Sequence, residues 1–404
     1  MTRWFASLLL CSLAVCAGGA AAHARQKEVR IGVLADLSGY SKEIGGPGAV
    51  LAVKMAVEDH HGRAGGMPVK VVAADMQNKV DVATDIARRW FAEDHVDAIA
   101  DLPNTPVALA VARLGAQTNH VILVTEAAST DLTGSQCEPT TVHFQDDTHS
   151  LAAGTAKALI DQGLKKWFFI TADFGFGYAM QNAAQSVVTQ SGGQVLGAVR
   201  PPLGESDFSS YLLQAQASKA QVIALASVGS DATTAIKQAS EFGIEKGGQQ
   251  VAGLLLTIAD VKALGLKTAQ GLWVTEGFYW DQNKEARAFA RRFAARDGGK
   301  MPTKAHAADY AAVSHYLDAI DRAGTKNTQA VMSAMRAMPI DYFGKPARLR
   351  ADGRVLYDLE LYRVKSPSQS HGPYDFFTPV KRIPAAKAFL PIGAGGCKLG
   401  MASR

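Results

Sequence analysis

Cysteine is scarce in this 404-residue chain: four residues, with no C-x-x-C pair among them. That spacing excludes a zinc ribbon and a thioredoxin-like redox centre. Aromatic residues make up 8% of the chain and charged residues 20%. Neither charge sign dominates, because 42 basic residues face 37 acidic ones and no long Lys/Arg run occurs. The chain therefore carries no footprint for nucleic acid or for a polybasic membrane patch. Gly (38) and Pro (15) are too few and too scattered for a fibrous or low-complexity protein. The chain also lacks G-x-S-x-G, a Walker A loop, H-E-x-x-H and G-x-G-x-x-G, so no enzyme motif is on view. Gly393-Ala394-Gly395-Gly396 has neither strand nor helix around it and is not read as a phosphate loop. His143 and His149 flank Asp146-Asp147, but the spacing follows no ligand logic, so neither a metal nor a cofactor is expected.

Long apolar runs are confined to the start. Arg3 is the only charge before an apolar stretch at 5–17 (FASLLLCSLAVCA), and small residues follow to Ala22-His23-Ala24. A positive start, a short apolar core and an A-x-A end read as a secretory signal peptide over 1–24, in preference to a membrane anchor. The mature chain is then expected to be exported. Cys11 and Cys16 leave with the signal, so Cys137 and Cys397 remain. Two cysteines in an oxidising compartment usually pair, the alternative being two free thiols.

From residue 29 onward apolar runs alternate with segments of helical period. Strands are expected at 29–34, 69–74, 98–100 and 121–124, with helices at 48–60, 80–93 and 107–118 between them. The pattern restarts at 151. Strands are expected at 167–170, 195–199, 222–226, 251–255 and 272–275, and an alternating strand at 354–364. Helices are expected at 284–297, 307–323 and 328–338. Such βαβ alternation predicts an α/β fold with parallel sheets covered on both faces, and the length suits two doubly wound lobes.

Four segments carry a resemblance. VRIGVLADLSG at 29–39 stands in place of IGVxxPLSG, and AASTDLT at 127–133 in place of GATxPxLT. DFGFG at 173–177 looks like the DYxxG turn, and DFSSYLL at 207–213 is also characteristic. In their order and spacing these resemble the periplasmic ligand-binding proteins of ABC importers, in the Leu/Ile/Val-binding branch with the type I fold. The resemblance implies two lobes joined by three crossovers near 146–150, 274–278 and 345–352. Lobe 1 would hold 25–147 plus 276–350, and lobe 2 would hold 148–275 plus 351–404. It also implies a non-enzymatic monomer that closes on a small carboxylate-bearing ligand and hands it to permease subunits.

In open parallel sheets the ligand sits beyond the carboxyl ends of the strands, where helix N-termini favour anions. The loop after the first strand holds Ser38 and Tyr40, which either bind a carboxylate and wall an apolar group or form a plain capping turn. Asn104 and Thr105 stand where the family carries carboxylate-gripping serines. Ala127, Ala128 and Ser129 match the second carboxylate contact. Glu126 departs from the family pattern, and solvent or a salt bridge is its expected partner in preference to a ligand cation. Phe174 and Phe176 lie in a glycine-rich loop suited to clamping a flat or aliphatic group, core packing being the alternative. Ser230 and Asp231 read as a helix cap or, for Asp231, an ammonium contact. In amino-acid-binding members an acidic residue follows the next strand. Here Leu256 or Thr257 stands there, with Asp260 slightly later, so an ordinary α-amino acid lacks its usual partner. Tyr279, beside Trp280, is expected near the cleft and supports a ligand with an aromatic or hydrophobic body.

Overall fold

The computed structural model describes residues 28–400. The signal-peptide segment, with Cys11 and Cys16, lies outside the described residues.

The first lobe is built on β1 (Val29–Ala35), α1 (Gly46–Asp59), β2 (Arg63–Ala64), β3 (Met67–Asp75), α2 (Val80–Ala92), β4 (Ala98–Asp101), α3 (Thr105–Thr118), β5 (Val121–Val124) and β6 (Thr141–His143). The strands form one sheet in the order β2-β3-β1-β4-β5-β6. Every pairing is parallel except the β2–β3 hairpin. Strands β1, β4 and β5 are buried almost throughout, which is why they read as continuous apolar runs.

The second lobe starts with α4 (Thr148–Leu151), a π turn (Ala152–Ala156) and α5 (Lys157–Asp161). It continues through β7 (Lys166–Thr171), α6 (Gly175–Gln190), β8 (Gln194–Val199), α7 (Ser209–Ala217), β9 (Val222–Ala226), α8 (Ser230–Glu241) and β10 (Gln250–Gly253). Its parallel sheet runs β10-β9-β7-β8. The short helices α9 (Ile258–Leu264) and α10 (Leu266–Ala269) lead to β11 (Trp273–Glu276).

The chain then returns to lobe 1 as α11 (Lys284–Ala294), α12 (Lys304–Ala323) and α13 (Thr328–Ala337), which bury Phe289, Phe293, Tyr316, Leu317 and Met335 in the same core as β1. A small antiparallel sheet follows: β12 (Pro339–Tyr342), β13 (Lys345–Leu349) and β14 (Val355–Leu356). The last elements are β15 (Leu359–Val364), β16 (Phe377–Ile383) and α14 (Ala385–Ala388). Strands β11, β15 and β16 form a fourth, antiparallel sheet that belongs to both lobes. Leu359 and Leu361 pack in the lobe 1 core, whereas Tyr362 and Val364 pack in a lobe 2 core, and the β15–β16 register shifts between Leu361 and Tyr362.

Two boundary expectations need correction. The single strand expected at 354–364 is broken at Tyr357-Asp358, and the third crossover lies inside β15, between Leu361 and Tyr362, instead of at 345–352. At the break, between β14, which pairs with β13, and β15, which pairs with β11 and β16, Tyr357 donates its hydroxyl to Asp146 Oδ1 (3.0 Å). The tail after 383 does not stay with lobe 2. Ala388 and Phe389 pack in the lobe 1 core, and a disulfide joins Cys397 to Cys137 with Cα atoms 5.7 Å apart.

Candidate ligand-binding cleft

The lobes face each other across loops that leave the carboxyl ends of the parallel strands. Lobe 1 contributes Tyr40, Ser41, Ile44, Pro103, Glu126 and Ala128. Lobe 2 contributes Phe174, Phe176, Val228, Leu255 and Thr257, while Gln145 and Lys304 close the inner end. Tyr40 meets Phe174 edge-on with ring centroids 6.2 Å apart, and Phe174 touches Phe176 at 5.9 Å. Gly229 carries a positive φ and brings lobe 2 against the Tyr40 carbonyl, where a Cβ would collide. The space left between the walls is about 30 Å³, room for one water. The lobes are therefore closed on each other. A groove sharing Tyr40 and Ile44 leads from there toward Lys42, Glu43, Lys262 and Lys300.

Of the residues expected at the site, Tyr40, Ala128, Phe174, Phe176 and Thr257 line this cleft. Thr257 caps α9, and its hydroxyl is bonded to Asp260, so that hydroxyl is already engaged. Asn104 caps α3 through Val107 N–H (3.2 Å). Burial, reinforced by the Glu126 charge, raises the Tyr40 phenol above its ordinary range. Thr105 is buried and its hydroxyl finds no partner among the described residues. Ser129 Oγ accepts from Asp131 N–H (3.2 Å) as a cap. Ala127 is buried in the lobe 1 core, and its carbonyl accepts from the His143 ring (2.7 Å).

Four expected residues lie elsewhere. Ser38 is exposed and donates to Asp75 (2.6 Å) at the outer end of β3. Ser230 lies along the mouth groove. Asp231 is buried and accepts from Gly204 N–H (2.9 Å), so it braces a lobe 2 loop; burial raises its carboxyl above the usual range. Tyr279 points away from the cleft, among Tyr362 and Phe377, and donates to the Tyr374 carbonyl (2.9 Å).

Sequence reasoning missed Ile44, Pro103, Gln145, Val228, Leu255 and Lys304. Each lies at a strand end or helix start, the signal that could have found them. Glu126 contradicts its expected solvent or salt-bridge role. It is 8% exposed, faces the cleft, and its Oε2 has no hydrogen-bond partner among the described residues. Burial, with Asp101 and Asp309 nearby, raises its carboxyl well above the ordinary range.

Behind the cleft the three crossovers are knitted together. Asp146, on the first, accepts from Lys304 Nζ (3.0 Å), from Gly277 N–H on the second (3.1 Å) and from Tyr357 just before the third. Lys304 also donates to the Thr275 carbonyl (3.2 Å) and stands 3.7 Å from Glu276. Arg354, fully buried, bonds the Gln145 carbonyl and lies 3.3 Å from Asp147. A closed, motif-poor interlobe cleft backed by such a joint suits capture and release rather than turnover. Among the described residues no cluster of three or more His, Cys, Asp or Glu is arranged to hold a metal ion.

The description "Periplasmic binding protein" matches residues 28–371. A "Leu/Ile/Val-binding protein homolog 6" of Brucella suis is 29% identical over 262 residues, covering 63% of this chain and 66% of its own length. The chain thus spans just under two thirds of that curated relative. The crystal structure of a periplasmic binding protein from Burkholderia mallei is 43% identical with a TM-score of 0.90, covering 93% of this chain and 99% of its own. A branched-chain amino acid ABC transporter ligand-binding protein from Burkholderia xenovorans is 39% identical with a TM-score of 0.80, covering 90% and 97%. The two-lobed architecture, the cleft and the match over most of the chain agree: this chain belongs to the periplasmic binding proteins, the Leu/Ile/Val-binding-like solute-binding family of ABC transporters, and not to an enzyme family.

Proposed function

We propose that the protein is the exported, periplasmic solute-binding subunit of an ABC importer. It captures one small ligand with a compact hydrophobic or aromatic body and a carboxylate, as a monomer, and presents the closed form to its permease. The observation that carries this reading is the pair of apolar walls, one per lobe, that meet at Tyr40 and Phe174. Burying an apolar body between them supplies affinity in proportion to the area removed from water. Two donors suit the carboxylate. The Ala128 N–H makes no hydrogen bond among the described residues, and the Thr105 hydroxyl is buried and unpartnered. The Burkholderia xenovorans relative, a branched-chain amino acid ABC transporter ligand-binding protein, supports the same ligand size. The A-x-A segment at 22–24 supports export.

The test is a thermal-shift screen of protein unfolded and refolded to strip carried-over ligand. The panel holds hydrophobic amino acids, short branched acids, benzoates and cinnamates. A true ligand at about 100 times its Kd adds about 2.7 kcal/mol of stability. Sugars and polyamines are the controls. A response to these and to no hydrophobic carboxylate would sink the reading.

A further inference from the structure

Four carboxyl side chains gather where lobe 1 meets the cleft: Asp36 after β1, Asp101 at the end of β4, Glu126 after β5 and Asp309 on α12. All four are buried. Asp36 is satisfied by the N–H groups of Gly39 (2.6 Å) and Ser41 (2.9 Å) and by the Ser41 hydroxyl (3.0 Å). The other three are not. Both oxygens of Asp101, Oε2 of Glu126 and Oδ2 of Asp309 have no donor among the described residues. The remaining Asp309 oxygen accepts from the Thr125 hydroxyl.

The neighbouring elements supply no free cation. From the loop before α1 comes the backbone of Gly45, packed so closely that a Cβ there would collide with Glu126 Oε2, and also the neutral phenol of Tyr40. From α12 come His306, whose ring is bonded to Gly45 and Thr303, and Lys304, held by Asp146 and Glu276. From the first crossover comes Gln145, whose amide donates to the Thr125 carbonyl (2.8 Å). Buried carboxylates without counter-ions are strongly disfavoured and take up protons instead. Burial pushes Asp101 up to about 8 and Asp309 well above its ordinary range. Glu126 Oε2 and Asp101 Oδ1 both lie against Gly45, with no donor between them, and two carboxyl groups held together in this way resist carrying two full charges.

Glu126 is the one member of the group that lines the cleft, and its unpartnered Oε2 is more than nine-tenths buried there. We propose that Glu126, backed by Asp101, takes a cationic nitrogen of the ligand, and that the incoming positive charge replaces a proton of the pair. The inference rests on the reading of the cleft as the ligand site and narrows that ligand to one bearing an ammonium group beside its hydrophobic body. The ammonium N–H bonds to Glu126 Oε2, and the displaced proton leaves to solvent. A ligand hydroxyl would satisfy one oxygen, whereas a cation offsets the charge of the whole cluster. A ligand carboxylate is repelled from this end and belongs at Ala128 and Thr105.

The experiment compares pairs differing only in the nitrogen: L-leucine with 4-methylpentanoate, and L-phenylalanine with 3-phenylpropanoate. Calorimetry on the stripped full mature chain is run in phosphate and in Tris, whose ionisation heats differ. The amino acids should bind on the order of 100-fold more tightly than their partners, the upper end of what one charge-assisted hydrogen bond contributes. They should also release protons, and their affinity should rise from about pH 6 to about pH 8, because the ligand selects the deprotonated pair. Glu126→Gln should erase both the discrimination and the proton release. If that variant fails to fold, the wild-type buffer and pH dependence decides alone. Equal or tighter binding of the deaminated acids overturns the role of Glu126 and leaves the cleft reading standing. So does amino-acid binding without proton release. Binding of neither series overturns both.

Discussion

Lys304 Nζ lies 3.0 Å from the Asp146 carboxylate, with both side chains buried, and this pair joins the start of α12 to the first crossover. The same ammonium reaches the Thr275 carbonyl on the second crossover. Removing it strands Asp146 and Glu276 without a cation. Lys304→Met should destabilise the fold by roughly 3–5 kcal/mol, the usual cost of breaking a buried pair from one side. Urea unfolding reads it; a midpoint within error of wild type would show that the pair does not hold the joint.

His306 is held neutral by its bonding. Its Nδ1 accepts from Thr303 N–H (3.1 Å) and its Nε2 donates to the Gly45 carbonyl (2.8 Å). Burial lowers its pKa to about 4. A depressed histidine contributes stability that is whole above the unfolded value of about 6.5 and is lost as pH falls toward about 4, amounting to about 3 kcal/mol. Melting curves from pH 7 to pH 4.5 should therefore fall less steeply in His306→Gln. The buried His143 acts in the same direction and remains in both proteins, so their difference isolates His306. Parallel curves would refute the assignment.

The Cys137–Cys397 bond closes a loop with a sequence separation of 260 residues. In the chain-entropy picture its loss costs about 5 kcal/mol. Reduction, or Cys397→Ser, should lower Tm on the order of 10 °C. Intact-mass measurement with and without reductant checks the bond itself, which differs by two hydrogens.

Phe174 and Phe176 should part company under mutation. Phe176 is buried in a lobe 2 core, so Phe176→Ala should cost about 3–5 kcal/mol of stability. Phe174 is half-buried at the cleft, so Phe174→Ala should weaken ligand binding roughly tenfold or more with little change in Tm. Calorimetry with the screened ligand and a melting curve separate the two. The reverse pattern would place the clamp on Phe176.

The parallel sheets were legible because segments such as Val29–Ala35 and Val222–Ala226 are apolar on both faces, which only a covered sheet requires. The cleft was legible at Tyr40, Ala128 and Phe174, which sit at strand ends. Three features were not legible, each for a tertiary reason. The break at Tyr357 separates strands of two different sheets, β14 with β13 and β15 with β11, a pairing no local pattern announces. Tyr279 stands beside the second crossover, but its orientation is decided by the Tyr374 carbonyl. Glu126 and Lys304 carry residue types that normally stay in water, and nothing local announces that the fold buries them.

The disulfide described above changes how the two halves can move. After β16 the chain crosses back to lobe 1 and is bolted there, so four covalent passages, not three, link the halves. Any motion that parts the lobes must therefore carry this returning segment along with the three crossovers.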